Sequence, residues 1–420
     1  MSERSIAGPE MHLNERGWAS KHWFTELNLL RHELLVIVLF AVLLLTQIAC
    51  GGGGNNLVSG TVHNYATGKG PTSVAAADFN GDKILDLAVA SVTDNTVSVL
   101  LGNEDGTFRQ HVDYPAGTYL SAIAVGDFNG DGKQDLVTDS GLLLGNGDGT
   151  FQAMLPFPDS ASETKLVHWH STTASTSTDS TLAVGDFNGD GKPDLLGGGV
   201  LLGNGDGTFR AGGGLPVGGI NIFSVGLGDF NGDSKMDVFL FSEWTGSNQI
   251  IAIQGNGDGT FSSSPEIFAL GVEVGWGFAL SDFNADGKLD IVAGGPGGVS
   301  ILMGNGDGTF QWGASPGTAG IVQAIAVADL NADGKPDLVV INEQSQPGGY
   351  DPKAVNAVSI LLGNGDGTFQ PHIDYGTGTT PAASVAVGDF NGDGKPDLAV
   401  TKQDDNTVSI LFGNGDGTFK

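Results

Sequence analysis

The sequence has a single cysteine in 420 residues. No internal disulfide can form, so something else must hold the fold together. Basic residues are also scarce: 18 Lys and Arg stand against 48 Asp and Glu, a net charge of −30. No basic patch competes with that acidity, which argues against nucleic acid as a partner. Charge is sparse altogether, at 16% of residues. The 69 glycines lack the every-third spacing of collagen and sit where turns of an all-β protein would fall. Long apolar runs are confined to one place, residues 34–49. No repeated acid–base pair or nucleophile motif stands out, and none is expected of a chain that we read as non-enzymatic.

What the chain does have is repetition. A nine-residue phrase, DFNGDGKPD at Asp389–Asp397, recurs with small changes from Asp78, Asp127, Asp186, Asp229, Asp282 and Asp329. It places Asp at positions 1, 5 and 9 and Asn at position 3. A second phrase follows each copy: GNEDGTF at Gly102, then GNGDGTF at Gly145, Gly203, Gly255, Gly304, Gly363 and Gly413. A self-similar period of this kind marks a repeat architecture. Three aspartates in each first phrase and one in each second account for 28 of the 48 acidic residues. The acidity is regular punctuation.

Each repeat reads as strands joined by these phrases. SVAVGD (Ser384–Asp389), SAIAVGD from Ser121 and QAIAVAD from Gln323 alternate with period 2 and use small side chains, which suit a strand beside a crowded axis. DLAVT (Asp397–Thr401) is a second strand and TVSILFGN (Thr407–Asn414) a third. FQPHIDY (Phe369–Tyr375) is a fourth in the repeat before. Four antiparallel strands per repeat is the size of a propeller blade. The seventh repeat has no fourth strand after its last phrase, whereas Leu57–Tyr65 precedes the first phrase as an orphan. Tyr65 stands before Asp78 as Tyr114 stands before Asp127. The expected fold is therefore all-β: a seven-bladed β-propeller of four-stranded antiparallel blades, closed by an N-terminal strand that completes the last blade and covers open sheet edges.

The first phrase has the chemistry of a calcium loop. Alternating residues present four side-chain oxygens, position 7 can add a carbonyl, and Gly at position 6 permits the sharp turn. Without a cation the carboxylates would repel one another. No His or Cys is in the loop, which disfavours transition metals, and magnesium prefers to keep its waters. The expected ligands are Asp78, Asn80, Asp82 and Asp86 in loop one, and Asp127, Asn129, Asp131 and Asp135 in loop two. Loops three and four offer Asp186, Asn188, Asp190 and Asp194, then Asp229, Asn231, Asp233 and Asp237. Loops five and six offer Asp282, Asn284, Asp286 and Asp290, then Asp329, Asn331, Asp333 and Asp337. Loop seven offers Asp389, Asn391, Asp393 and Asp397. Seven divalent ions would bring the net charge to about −16, an ordinary solubility charge. Lys83 and Ser234 replace the position-6 glycine, so loops one and four are expected to be weakest.

The second phrase has a glycine spacing faintly like that of a nucleotide loop, but no helical pattern follows it. Its Asp-Gly reads as a hairpin turn and its Phe as packing between blades.

The alternation of VAVGDFNGDGKPDL with LLGNGDGTF resembles the FG-GAP/VCBS repeat family, related to the β-propeller head of integrin α chains. The resemblance covers residues 57–420. It implies a seven-bladed, calcium-bound propeller used outside the cell for adhesion or ligand binding. Lys83, Ser234, Ala285 and Ala332 depart from the family pattern at single positions.

Residues 1–50 read as a signal peptide or membrane anchor, 51–56 as a Gly/Asn linker and 57–420 as the propeller. The apolar run ends at Cys50, which resembles the lipidated cysteine of bacterial lipoproteins, although Gln47 stands where an aliphatic residue is usual. An uncleaved single-pass anchor and plain secretion remain open. All three place the repeats in the cell envelope or beyond.

Both phrases connect strands 1–2 and 3–4, so they emerge on one face. Length variation falls on the other face, in stretches such as Phe157–Ser180, Ser242–Gln249 and Asn342–Asn356. Function favours varied loops on a rigid scaffold. Candidate ligand residues there are His168, Trp169, His170, Trp244, Trp276, Tyr350, Asp351 and Lys353. They suit an extracellular protein or a glycan. His168 and His170 lack a third ligand for a metal. A binding or adhesion module is the leading expectation. A carbohydrate-binding lectin and a polysaccharide-acting propeller enzyme are the alternatives. A lectin with one sugar per blade would repeat its binding residues, and these loops do not repeat.

Overall fold

The computed structural model describes residues 58, 61–118, 120–157, 182–197, 199–217, 221–244, 247–269, 277–343, 356–378 and 382–420. Cys50 and the apolar run lie outside them. No helix among the described residues is long and apolar enough to cross a membrane.

Seven antiparallel blades form the ring. Blade one is Pro71–Ala77, Asp86–Ser91, Thr96–Leu100 and Val112–Pro115. Blade two is Ile123–Gly126, Asp135–Thr138, Gly141–Leu143 and Leu155–Pro156. Blade three is Ala183–Gly185, Asp194–Leu196, Val200–Gly203 and Phe209–Ala211. Blade four is Asn221–Gly228, Asp237–Trp244, Ser247–Ile253 and Glu266–Ala269. In blade five a single element, Asp290–Gly304, serves as both middle strands. It pairs with Phe278–Ser281 at its start and Phe310–Trp312 at its end, and its glycine-rich middle pairs with blade six. Blade six is Gly317–Ala328, Asp337–Glu343, Asn356–Leu361 and Ile373–Gly378.

Blade seven is closed by the N-terminal side of the chain. Ala382–Gly388, Asp397–Lys402 and Thr407–Leu411 are joined by His63–Ala66, which pairs antiparallel with the last of them. The closing strand is shorter and later than the expected Leu57–Tyr65. Val58 is engaged elsewhere: it bridges in parallel to Tyr375, and its amide donates to the Asp374 carbonyl of blade six at 2.9 Å. The segment thus touches two neighbouring blades.

The hydrophobic core is a set of seams between blades. Seven buried clusters each draw on two adjacent blades, from Phe79 with Phe151 between blades one and two to Val89 with Ile410 between blades one and seven. The two middle strands of each blade supply the branched residues of these seams and are almost wholly buried. Innermost strands carry small residues and stay half-buried along the axis.

Candidate metal loops and the seams they join

The seven first phrases fold alike, because their side chains bond their own backbone. The position-1 aspartate accepts the position-6 amide at 2.7–2.9 Å in every loop. The position-3 asparagine accepts the position-5 amide at 2.9 Å. The position-5 aspartate accepts the position-7 amide at 2.9–3.1 Å. These are the side-chain turns that Asp and Asn favour.

The sixth position needs a left-handed backbone. Gly132, Gly191, Gly287, Gly334 and Gly394 have φ of 78–80°, with open space where a Cβ would stand. Lys83 and Ser234 adopt φ of 71° and 63° at the same place. A side chain there costs roughly 1–2 kcal/mol through its own backbone and not through crowding. Lys83→Gly and Ser234→Gly are therefore expected to stabilise the protein by about 0.5–1 kcal/mol each, after the greater freedom of glycine in the unfolded chain is deducted. Urea midpoints measure this, and unchanged or lower midpoints would show that the strain is absent.

Position 9 has a role that the loop pattern alone did not reveal. Asp86, Asp135, Asp194, Asp237, Asp290, Asp337 and Asp397 are fully buried. One carboxylate oxygen accepts the amide of position 2, at 2.8–3.2 Å. The other accepts the amide of the glycine that opens the second phrase, at 2.7–2.8 Å. That glycine leaves no room for a side chain, since a Cβ would strike the position-8 carbonyl. The two phrases are thus one unit, clasped by a buried aspartate.

The clasp extends to the next blade. At five of the seven junctions the last glycine of the second phrase donates its amide to the position-2 carbonyl of the preceding blade. Examples are Gly149 to Phe79 and Gly259 to Phe187, at 3.0 and 2.9 Å. The terminal Phe of the second phrase packs on the position-2 Phe of that blade, as in Phe151 with Phe79 and Phe369 with Phe283. Phe108 meets Phe390 in the same way and closes the ring. The aspartate of the second phrase is a turn residue, as expected: its carboxylate accepts from the Thr two residues on. That threonine's hydroxyl, and then its amide, hold Asp148 below the usual carboxylate range.

Charge accumulates in the first phrase. Burial pushes every position-9 carboxyl upward, two amides oppose the shift, and the aspartates at positions 5 and 1 add to it. Asp86, Asp237 and Asp397 are pushed up to about 6. Within a loop, one lysine answers the three carboxylates at positions 1, 5 and 9. In six loops the position-7 Lys places Nζ 3.3–3.9 Å from the position-5 carboxylate. Its stem lies across the middle glycine of the second phrase, where a Cβ would collide, as Lys133 does over Gly147. Loop one has Ile84 in place of this lysine and Glu104 in place of that glycine, a paired change.

Among the described residues no three carboxylates or imidazoles converge as a finished cation cage. The oxygens face backbone amides instead, yet each carboxylate oxygen has a further lone pair. An all-oxygen set with one counter-charge for three carboxylates fits a hard divalent cation.

The candidate ligand residues of the other face are mostly beyond description. His168, Trp169, His170, Trp276, Tyr350, Asp351 and Lys353 lie outside the described residues, and Trp244 is placed only as the end of a blade-four strand. Two clusters were not anticipated. Asp113 accepts from Ser98 at 2.6 Å and pairs with His111 at 2.8 Å; Asp374 does the same with Ser359 and His372. The repeated HVDY and HIDY on outer strands are their signature. The aspartate stands between serine and histidine, so the histidine does not reach the hydroxyl as the base of a nucleophile relay would.

Comparison with known proteins agrees with this architecture. The family model for the FG-GAP-like repeat matches residues 78–138, 229–293, 282–340, 349–400 and 389–420, more than half of the chain. The model for the FG-GAP repeat matches 179–208 and 322–361. No curated protein sequence matches. Among solved structures, BBS1N in complex with ARL6DN is 12% identical with a TM-score of 0.54, over 84% of this chain and 97% of that one. The Vibrio cholerae biofilm matrix protein Bap1 is 12% identical with a TM-score of 0.43, over 83% of this chain and 82% of that one. The first of these likenesses is one of fold.

Proposed function

This chain belongs to the FG-GAP repeat family, and from that premise we propose that it is a calcium-stabilised binding or adhesion module of the cell envelope. Calcium would be held by the oxygens at positions 1, 3, 5 and 9 of the first phrases. It would supply the positive charge that one lysine per loop does not. The chain would be attached through a lipidated Cys50 or an uncleaved anchor, and its partner would be an extracellular protein or a glycan.

The observation that carries this reading is the contrast between the two faces. One is tiled by seven near-identical loops, each clasped to its second phrase by the position-9 aspartate. The other carries all the length variation between repeats. A rigid ring with one varied face is the arrangement of a recognition scaffold. In this reading the chain binds and does not catalyse, and Asp113 and Asp374 serve as structural clusters with their serine and histidine neighbours.

The test is a binding screen of the full-length protein against glycans and extracellular-matrix proteins. Specific binding is expected. Replacing His168, Trp169 and His170 together by Ala, or exchanging residues 344–355 for a short turn, should weaken it at least tenfold with an unchanged melting temperature. The reading fails if nothing binds, or if both variants bind as the wild type does.

A further inference from the structure

A cavity of about 230 Å³ lies on the ring axis at the starts of the innermost strands. The first phrases follow the ends of those strands, so the cavity opens toward the varied face. All seven blades line it. Thr72 and Ser73, Ser121, Ser224, Gln323 and Ser384 bring hydroxyls and one amide; the other two blades bring Leu182 and Phe278. No charged side chain lines it, in a protein of net charge −30.

The strands are irregular at this level. The register of the innermost strand slips at Pro71/Ser73, Ile222/Ser224, Val322/Ala324 and Ala382/Val385. Four blades thus carry a bulge around the same cavity, and bulges re-aim side chains at the cost of ladder pairing. Thr72 and Gln323 are themselves the extra residues. A plain structural axis needs no such break.

The polar groups are also held in place. Thr72 Oγ1 donates to the Leu120 carbonyl at 2.7 Å, Ser121 Oγ to Asp139 at 3.0 Å, and Gln323 Nε2 to Glu343 at 2.9 Å. Each donor is thereby engaged, and its side-chain oxygen keeps a lone pair for a further bond. The hydroxyls of Ser73, Ser224 and Ser384 can donate as well as accept. The two carboxylates stand behind this lining, not in it. A cation would call for carboxylates at the wall, and an anion for basic groups.

We infer that this axial cavity binds one uncharged, polyhydroxylated ring, such as a single neutral pyranose residue of a glycan. Its volume lies just below the usual range for drug-sized ligands, which admits one ring. Phe278 offers an apolar wall, and hydroxyls of the ring match a wall that both gives and takes hydrogen bonds. The inference rests on the reading that the varied face is the working face, and it names the ligand class at its centre.

The full-length protein, in a detergent without a sugar headgroup, is titrated with glucose, galactose, mannose and N-acetylglucosamine, and with glucuronate and glucosamine as charged counterparts. Saturation-transfer NMR and calorimetry read the result. At least one neutral sugar should bind with a roughly millimolar Kd, and its charged counterparts at least tenfold more weakly. Gln323→Leu and Ser224→Val should each weaken binding about tenfold with unchanged melting. If Gln323→Leu unfolds, Ser224→Val carries the test together with Ser224→Ala, which removes the hydroxyl without the extra methyl and must weaken binding too. Failure of every neutral sugar to bind, equal binding of the charged ones, or binding unaltered by Ser224→Val overturns the inference. If one of these outcomes is found while the binding screen described above succeeds, this inference alone falls and the recognition reading stands.

Discussion

Deleting His63–Ala66 should leave a protein that aggregates or fails to fold. The four residues pair with Thr407–Leu411 and supply the outer strand of blade seven. Asn64 accepts from Ser409 at 2.6 Å. Tyr65 lies edge-on to Phe108 at 5.2 Å, and His63 lies 5.3 Å from Phe412. Tyr65 therefore ties blade seven to blade one at the junction where the two ends of the ring meet. Removing the strand exposes both the edge of Thr407–Leu411 and this aromatic contact. The aromatic contact is worth about 2 kcal/mol, the strand pairing is lost with it, and whole domains are stable by only about 5–15 kcal/mol. The open edge adds a route to intermolecular pairing. Size-exclusion chromatography and thermal melting of the deletion decide the matter. A monomeric protein with wild-type melting would show that blade seven does not depend on this strand. Tyr65→Ala is the milder form. Tyr65 is only partly buried, so a loss of about 2 kcal/mol is expected, with folding retained.

Much of this could be read from the chain itself. The seven phrase pairs specified the blade count, the strand order and the face on which the loops lie. The terminal Phe was legible as a seam residue because it recurs in every unit. The bond between the two phrases was not, although a sign of it was present. Ile84 and Glu104 depart from the pattern together, in the same blade, because a position-7 lysine stem and a middle glycine need each other. The exact closing strand was hidden for another reason. Residues 57–66 have several registers with acceptable alternation, and Val58 is drawn to blade six by a backbone bond that no side-chain pattern records. The axial cavity depends on bulges at matching heights in four blades. Such register is a property of the assembled ring, and the local sequence carries no trace of it.

The same clasp makes the calcium proposal strongly testable, because it puts each loop in series with a seam. The position-9 carboxylate bonds the position-2 amide in every first phrase, and in five of the seven the position-2 carbonyl accepts from the next blade. A cation that neutralises the carboxylates would therefore steady the junction between blades as well as its own loop. An ion that binds only the folded state adds RT ln(1 + [L]/Kd), about 1.4 kcal/mol per site at roughly millimolar calcium and a Kd of about 10⁻⁴ M. Seven such sites give on the order of 10 kcal/mol. With an unfolding entropy of about 2 cal/mol/K per residue over the ring, melting should rise by on the order of 10 °C above its value in chelator. Calorimetry should find fewer or weaker ions in loops one and four, where Lys83 and Ser234 strain the turn. The pH dependence gives an independent check. In chelator, Asp86, Asp237 and Asp397 titrate near 6 when folded and near the ordinary aspartate value when unfolded. The folded state then binds more protons between about pH 4 and 6, so stability falls as pH rises through that window. Calcium should flatten this slope by favouring the ionised carboxylates. A melting temperature that is the same in calcium and in chelator at pH 7 would remove the ion from the account. The seams would then be left to the aspartate clasp and the lysines alone.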